Sequence, residues 1–231
     1  MLKNIIPQAD KRPRLLGELG ELSHSSVSSS ERKYAKGAEI FGAEEPAEYI
    51  YQVIQGSVRT HKLLSDGRRQ IGAFHLPGDI FGLENGTVHR FTAEAIVETA
   101  ARFMKRESLE RVAKSNPAMI SSILRMTTDN LQHAEDHMLL LGRKTSVERV
   151  AAFLVEMDYR LTLAGAMLLP MNRRDIADYL GLTVETVSRA LTVLKKKGFL
   201  KILDLARREI AVLNPTGLAE FTSACRSLKD G

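Results

Sequence analysis

The chain has 231 residues, 44% hydrophobic and 26% charged, which suits a globular protein of one large domain or two ordinary ones. Its net charge of +5 and sequence pI of about 9.3 fit a polyanionic partner such as nucleic acid, although surplus solubilising lysines give the same balance. The single cysteine, Cys225, excludes an intrachain disulfide and a metal centre built on several thiolates, and no run approaches the roughly 20 apolar residues of a membrane span.

The N-terminal stretch lacks an uninterrupted apolar core of the secretory type, so the expected location is the cytoplasm. Residues 1–32 read as a weakly ordered arm, because "SHSSVSSSERK" is polar and serine-rich. A β domain is expected over 33–105. "AEYIYQVIQGSVRTHKLL" is rich in Tyr, Ile and Val and is interrupted by Gly56. Asp66-Gly67 reads as a two-residue hairpin turn, and Pro77-Gly78 and Asn85-Gly86 mark further turns. Short strands between glycine turns predict an all-β barrel or jelly roll.

Helical periodicity takes over in 106–141. Ile120, Leu124, Thr127, Leu131, Ala134, Met138 and Leu141 follow 4-3 spacing, an a/d seam over three heptads. Met119, Ile123 and Met126 widen the apolar face, so one side can pack on the β domain while the other meets a second copy. Burial within one monomer is the alternative. Asn130, beside the seam, is a candidate for fixing register. Gly142 reads as the helix stop and hinge, and Thr145 or Ser146 as the next cap, with Glu148 in the first turn.

Residues 142–231 form the second domain in this reading. "MNRRDIADYLGLTVETVSRALTVLKKKGFL" reads as helix, turn, helix. Asn172 caps the first helix with Asp175 at its third position. Gly181 makes the turn, Leu182 anchors it, and Thr183 caps the second helix. Val187, Leu191 and Leu194 point inward. Glu185, Ser188 and Arg189 share the outward face of the first turns, the end that a helix-turn-helix presents to the major groove. Arg189 suits guanine O6 and N7, Glu185 suits cytosine N4, and Ser188 reaches a base or a phosphate. The pair can hold each other in register while reading one G·C pair. An ordinary i,i+4 salt bridge between them, worth about 0.3–0.5 kcal/mol, is the competing explanation. Lys195, Lys196 and Lys197 end this helix, and two strands with a basic tip, Arg207 and Arg208, follow. With Arg173, Arg174, Thr183, Val184 and Thr186 these are the candidate turn and phosphate contacts.

Two stretches now carry a family signature: "YIYQVIQGSVRTHKLLSDGRRQIGAFHLPGDIFGLE" and "RRDIADYLGLTVETVSRALTVLKKKGFL". From about Gly37 to Asn214 the chain resembles the FixK-type branch of the superfamily of cyclic-AMP receptor protein (CRP) and fumarate-nitrate reductase regulator (FNR). The resemblance implies an α+β fold: a cupin-like β-roll, a long dimerisation helix and a winged helix-turn-helix. It carries the E-x-x-S-R set onto Glu185, Ser188 and Arg189, which in FNR-type members reads TTGAT half-sites of a palindrome. Val184, where CRP-type readers carry Arg, fits the FNR type. The implied partners are double-stranded DNA, a second copy of the chain and RNA polymerase. The implied role is activation of genes for microaerobic or anaerobic respiration and nitrogen fixation.

No cofactor is expected. Residues 1–36 contain none of the cysteines by which FNR holds an iron–sulfur cluster. Where CRP-like members bind cyclic nucleotide through a Glu and an Arg, this chain has Leu83 and Phe91. Glu84 and Arg90 are adjacent, but on a strand a one-residue shift turns a side chain to the opposite face. His61, His75, His89, His133 and His137 form no distinct haem motif. A cupin-type metalloenzyme is disfavoured by the absence of H-x-H, and G-x-S-x-G and P-loop motifs are absent too. A regulator gated by a small ligand remains the main alternative.

Overall fold

The computed structural model describes residues 29–115, 117–204 and 208–223. Eight strands build the first domain as two antiparallel four-stranded sheets. One has the order β1-β8-β3-β6, from Ser29–Tyr34, Thr99–Lys105, Tyr49–Gln55 and Ile80–Phe81. The other has the order β2-β7-β4-β5, from Glu39–Phe41, Thr92–Ala95, Val58–Leu63 and Arg69–His75. Inward residues such as Val53, Val58, Phe81 and Ala93 are almost fully buried between them, and Phe81 stacks on both Phe41 and Tyr51, whose rings are tilted against each other. This is the double-sheet solution for hiding alternating strand faces.

The first strand begins at Ser29, inside the segment expected as an arm. Its composition is polar because it is an edge strand with one sheet neighbour, β8, and most of its side chains face solvent. Backbone pairing holds it, and side-chain hydropathy carries no trace of that. Gly56, at φ +90°, ends β3 where a Cβ would meet the Glu98 carbonyl at 2.5 Å, so only glycine fits. The β4–β5 turn has three residues, Ser65 to Gly67, rather than two. Leu64 N donates to the Arg68 carbonyl and Gly67 N to that of Leu64. Gly67 takes the left-handed conformation that three-residue hairpins need.

Helices α1 (Arg106–Ser115) and α2 (Pro117–Arg143) follow. Met126 and Leu140 on α2 are buried, while Ile120, Leu124, Leu131 and Met138 are at least half exposed. Thr127 and Ala134 are exposed as well, and Leu141 is half-buried. The 4-3 seam thus faces outward and the helix's other side faces its own chain. Asn130, beside the seam, is exposed and also lines a cleft of the β-roll. The helix also continues through Gly142 to Arg143. The break comes at Thr145, whose side chain accepts from Glu148 N while Glu148 bonds the Thr145 N–H, a reciprocal cap that starts α3 (Ser146–Leu161).

The second domain packs α3, α4 (Arg173–Leu180), α5 (Val184–Lys196) and α6 (Pro215–Ser223) against a small sheet of order β10-β11-β9. These strands are Leu200–Ile202, Glu209–Val212 and Met167–Leu168. Phe153, Leu154, Leu180, Val187 and Leu194 fill its core, and the cluster extends to Ile71, Phe74 and Leu76 of the β-roll. Arg160 of α3 also ion-pairs with Asp79, and His133 of α2 meets Glu156 at 3.2 Å. No helix among the described residues is long and apolar enough to cross a membrane.

Candidate nucleic-acid interface

The helix-turn-helix is fixed by its caps and turn. Asn172 Oδ1 accepts from Asp175 N at 3.0 Å, and Asp175 Oδ2 accepts from Asn172 N at 3.1 Å. Gly181 ends α4 with φ 61° and ψ 41°, the left-handed cap that L side chains resist. Thr183 then caps α5 by accepting from Thr186 N at 3.2 Å. Ile176, Ala177 and Leu180 on α4 and Val187, Ala190, Leu191 and Leu194 on α5 are all buried. That leaves one face of α5 free along its first two turns.

Glu185 and Arg189 are exposed on that face, with Ser188 half-buried between them. No ion pair joins Glu185 to Arg189 among the described residues, so a plain salt bridge does not tie up the two side chains. The Glu185 carboxyl is held below the usual carboxylate range by its own backbone N–H and by the Thr183 hydroxyl, with Arg189 and Arg174 assisting through charge. It stays an ionised acceptor at a helix N-terminus, where the dipole favours negative charge. Arg189 is left with an uncommitted planar fork of donors, the chemistry that matches a guanine edge. Ser188 Oγ accepts from Arg173 Nη1 at 2.7 Å, so Arg173 reaches back from the start of α4 onto the reading face.

The basic candidates separate. Arg174, Lys195, Lys196 and Lys197 are exposed, Lys197 lying 5.5 Å above the Phe221 ring. Val184 and Thr186 are half-buried in the first turn of α5. Arg207 lies outside the described residues, as does Cys225. Arg208 is withdrawn from the phosphate set. Its guanidinium donates to the carbonyls of Leu169 and Pro170 at 2.9 and 2.7 Å, pinning the segment between β9 and α4.

The β-roll cleft corrects one expectation. Leu83, Glu84, Arg90 and Phe91 all line a cavity of about 230 Å³, with His75, Phe81 and Asn130. The expected inversion of faces fails because β6 ends at Phe81 and β7 starts at Thr92, so the intervening residues are not strand and do not alternate. The Arg90 guanidinium lies 5.8 Å over the Phe91 ring, and Arg90 N donates to Glu84 at 3.2 Å. Phe91 packs so closely on β5 that a Cβ at Gly72 would stand 3.1 Å from its ring. The volume is below the roughly 300–1,000 Å³ of typical ligand sites.

Three of the histidines rest against local groups, while the buried Nδ1 of His61 has no hydrogen-bond partner among the described residues. His75 shares a hydrogen bond with Thr60 at 3.2 Å, His89 stacks on Phe41 at 3.6 Å, and His137 stacks on Tyr179 at 4.2 Å. Among the described residues, no group of three or more His, Cys, Asp or Glu is arranged for a metal ion. Sequence reading missed one set of side chains altogether. Arg59 and Arg69 of the β-roll ion-pair with Asp175 and Asp178 of α4. The lone hint was two acidic residues on a helix whose neighbours are basic.

Comparison with known proteins matches this architecture. Residues 31–116 fit the model of the cyclic nucleotide-binding domain, and residues 148–221 fit that of the Crp-like helix-turn-helix domain. The nitrogen fixation regulation protein FixK of Azorhizobium caulinodans is 46% identical over 174 residues, 73% of this chain and 70% of that protein. FixK of Rhizobium meliloti is 42% identical over 185 residues, 80% of this chain and 83% of the relative. The structure of FixK2 from Bradyrhizobium japonicum, 57% identical, superposes with a TM-score of 0.80 over 84% of this chain and 97% of that one. With its β-roll, long helix and exposed helix-turn-helix, the chain belongs to the FixK-type branch of the CRP/FNR family of DNA-binding transcription regulators.

Proposed function

We propose that the protein is a homodimeric cytoplasmic activator that reads TTGAT-type palindromes and recruits RNA polymerase, without bound cyclic nucleotide or iron–sulfur cluster. The observation that carries this reading is the outward E-x-x-S-R face at the start of α5, with Glu185 an exposed ionised acceptor, Ser188 bonded by Arg173, and Arg189 exposed with no ion pair among the described residues. Arg189 donates to a guanine, Glu185 accepts from its paired cytosine, and Ser188 contacts a base or phosphate. Arg173, Arg174, Lys195 and Lys196 hold the backbone. The outward seam of α2 supplies the dimer contact, and a two-fold axis places two α5 helices about 34 Å apart, one DNA turn. The target genes serve nitrogen fixation, which the printed names of the FixK relatives carry, together with microaerobic or anaerobic respiration, which rests on the family resemblance alone. Selection of bound DNA from a random pool, without added ligand, tests the reading. Recovery of TTGAT palindromes is expected, and recovery of unrelated sequences refutes it.

A ligand-gated regulator is the second reading. It is favoured by one observation: Glu84 and Arg90 both reach the β-roll cleft. Titration of cyclic nucleotides against DNA affinity decides between them. A large rise in affinity supports gating, and a flat response supports ligand independence.

A further inference from the structure

Two arginines of the β-roll spend their donors on the helix-turn-helix. Arg59 on β4 donates from Nη1 to Asp175 Oδ1 at 3.0 Å, and from Nη2 to Glu94 of its own sheet at 2.5 Å. Arg69 on β5 donates from Nη2 to Asp175 Oδ1 at 2.6 Å and from Nε to Asp178 Oδ2 at 2.8 Å. Gln70 adds a weaker bond to the Tyr179 carbonyl at 3.4 Å. The Asp175 side chain is 1% exposed, and its other oxygen closes the cap of α4. One carboxylate therefore fixes the first helix of the reading head and receives two guanidinium groups from the other domain. Beside it Phe74 of β5 packs on Tyr179 and Phe153, with ring centroids 5.1 and 6.2 Å away.

The apolar contacts hold the domains together without setting a direction, because hydrophobic burial is non-directional. A buried charge cluster adds little net stability over an apolar replacement. What it adds is angular definition, because planar guanidinium groups accept carboxylates from few directions. The clamp also leaves the reader open, since Glu185 and Arg189 stay exposed in the docked arrangement. A contact that grips the head without covering its reading face orients it rather than blocks it.

We propose that Arg59 and Arg69 are positioning residues for DNA reading. They hold each helix-turn-helix at a fixed angle to its β-roll, and so to the dimer axis, presetting the distance between the two recognition helices. The inference rests on the dimeric, two-half-site reading above. Engagement of the second half-site is then intramolecular, and it is efficient only when the heads are spaced to match. A single half-site uses one head and needs no fixed angle.

The test compares full-length wild type, Arg59→Gln, Arg69→Gln, Arg69→Lys and Asp178→Asn. The probes are a TTGAT palindrome, the same palindrome with its spacer changed by one base pair, and DNA with one half-site. Arg59→Gln and Arg69→Gln are expected to weaken palindrome binding by about 10-fold, within the usual range of intersite coupling, and to leave half-site binding within about twofold. Preference for the natural spacer shrinks in parallel. Arg69→Lys, which keeps charge but not the fork, falls between. Should Arg69→Gln unfold, Asp178→Asn carries the comparison, because that carboxylate is partly exposed and Arg69 is its ion-pair partner. Equal losses on palindrome and half-site, or unchanged affinity and spacer preference, overturn the clamp. A wild type that binds palindrome no better than half-site overturns the dimeric reading and the clamp together. A wild type that prefers the palindrome beside indifferent variants overturns the clamp alone.

Discussion

Replacing Leu131 with glutamate tests the dimer seam at an exposed position near its middle. Leu131 retains 59% of its surface in the protomer, in line with Leu124 at 65% and Met138 at 66%. Fully burying a leucine side chain is worth about 1.5–3 kcal/mol, so covering the exposed part is worth about 1–2 kcal/mol. The two-fold axis uses the residue twice, giving about 2–4 kcal/mol per dimer and a rise in dissociation constant of roughly 30- to 700-fold. Desolvating the new carboxylate adds to that loss, so the figure is a floor. Sedimentation equilibrium over a range of concentrations reads the constant directly. The protomer itself should keep its fold, because Leu131 supports nothing within the chain that its exposure would not already have cost. Met126→Glu makes the contrast: Met126 is 5% exposed, so that variant should lose the fold rather than the dimer. A Leu131→Glu protein that associates within about threefold of wild type would refute the seam.

The remaining predictions address the head and the β-roll. Arg189→Ala should cost about 1–3 kcal/mol of specific binding and relax preference at one G·C pair. Competition assays with base-substituted sites check it, and equal losses on specific and random DNA would count against base reading. Lys196→Ala should weaken all sequences alike and reduce the slope of log affinity against log salt by about one. An unchanged slope removes Lys196 from the phosphate contacts. His75 gives a pH dependence. Burial pushes its imidazole down to about 4, with Asp79 opposing and Arg160 reinforcing the shift. The folded state therefore keeps His75 neutral while the unfolded chain takes up a proton below about 6.5. Stability from this group is intact above pH 6.5 and falls as the pH drops toward 4, by about 3 kcal/mol in all. Urea unfolding at pH 7 and pH 4.5 should show a loss smaller by roughly 2–3 kcal/mol in His75→Gln than in wild type. Parallel losses would show that the imidazole is not the titrating group.

Much of the head was legible because its constraints are local. Asn172 and Asp175 close a cap within four residues, Gly181 is forced by a left-handed turn, and the apolar residues of α5 recur at helical spacing. The 4-3 seam of α2 was equally readable, since periodicity along one helix reports which side is apolar. Where pairing runs over long distances the signal disappears. The polar strand Ser29–Tyr34 is held by β8, some seventy residues away. Arg208 looks like any surface cation until Leu169 and Pro170 bring their carbonyls to it. The cleft residues Arg90 and Phe91 were assigned opposite faces by a strand rule that their loop does not obey.

The amino-acid sequence by itself determined the kind of molecule. Short-range capping, turn and periodicity rules specify a β domain, a long amphipathic helix and a reading head whose E-x-x-S-R face must point outward because the opposite face is apolar. Tertiary structure alone decided how the head is carried. Arg59 and Asp175 are separated by 116 positions, and no local rule relates them. Their meeting depends on where two sheets and four helices come to rest, because a buried carboxylate draws in whatever cations the fold brings near it.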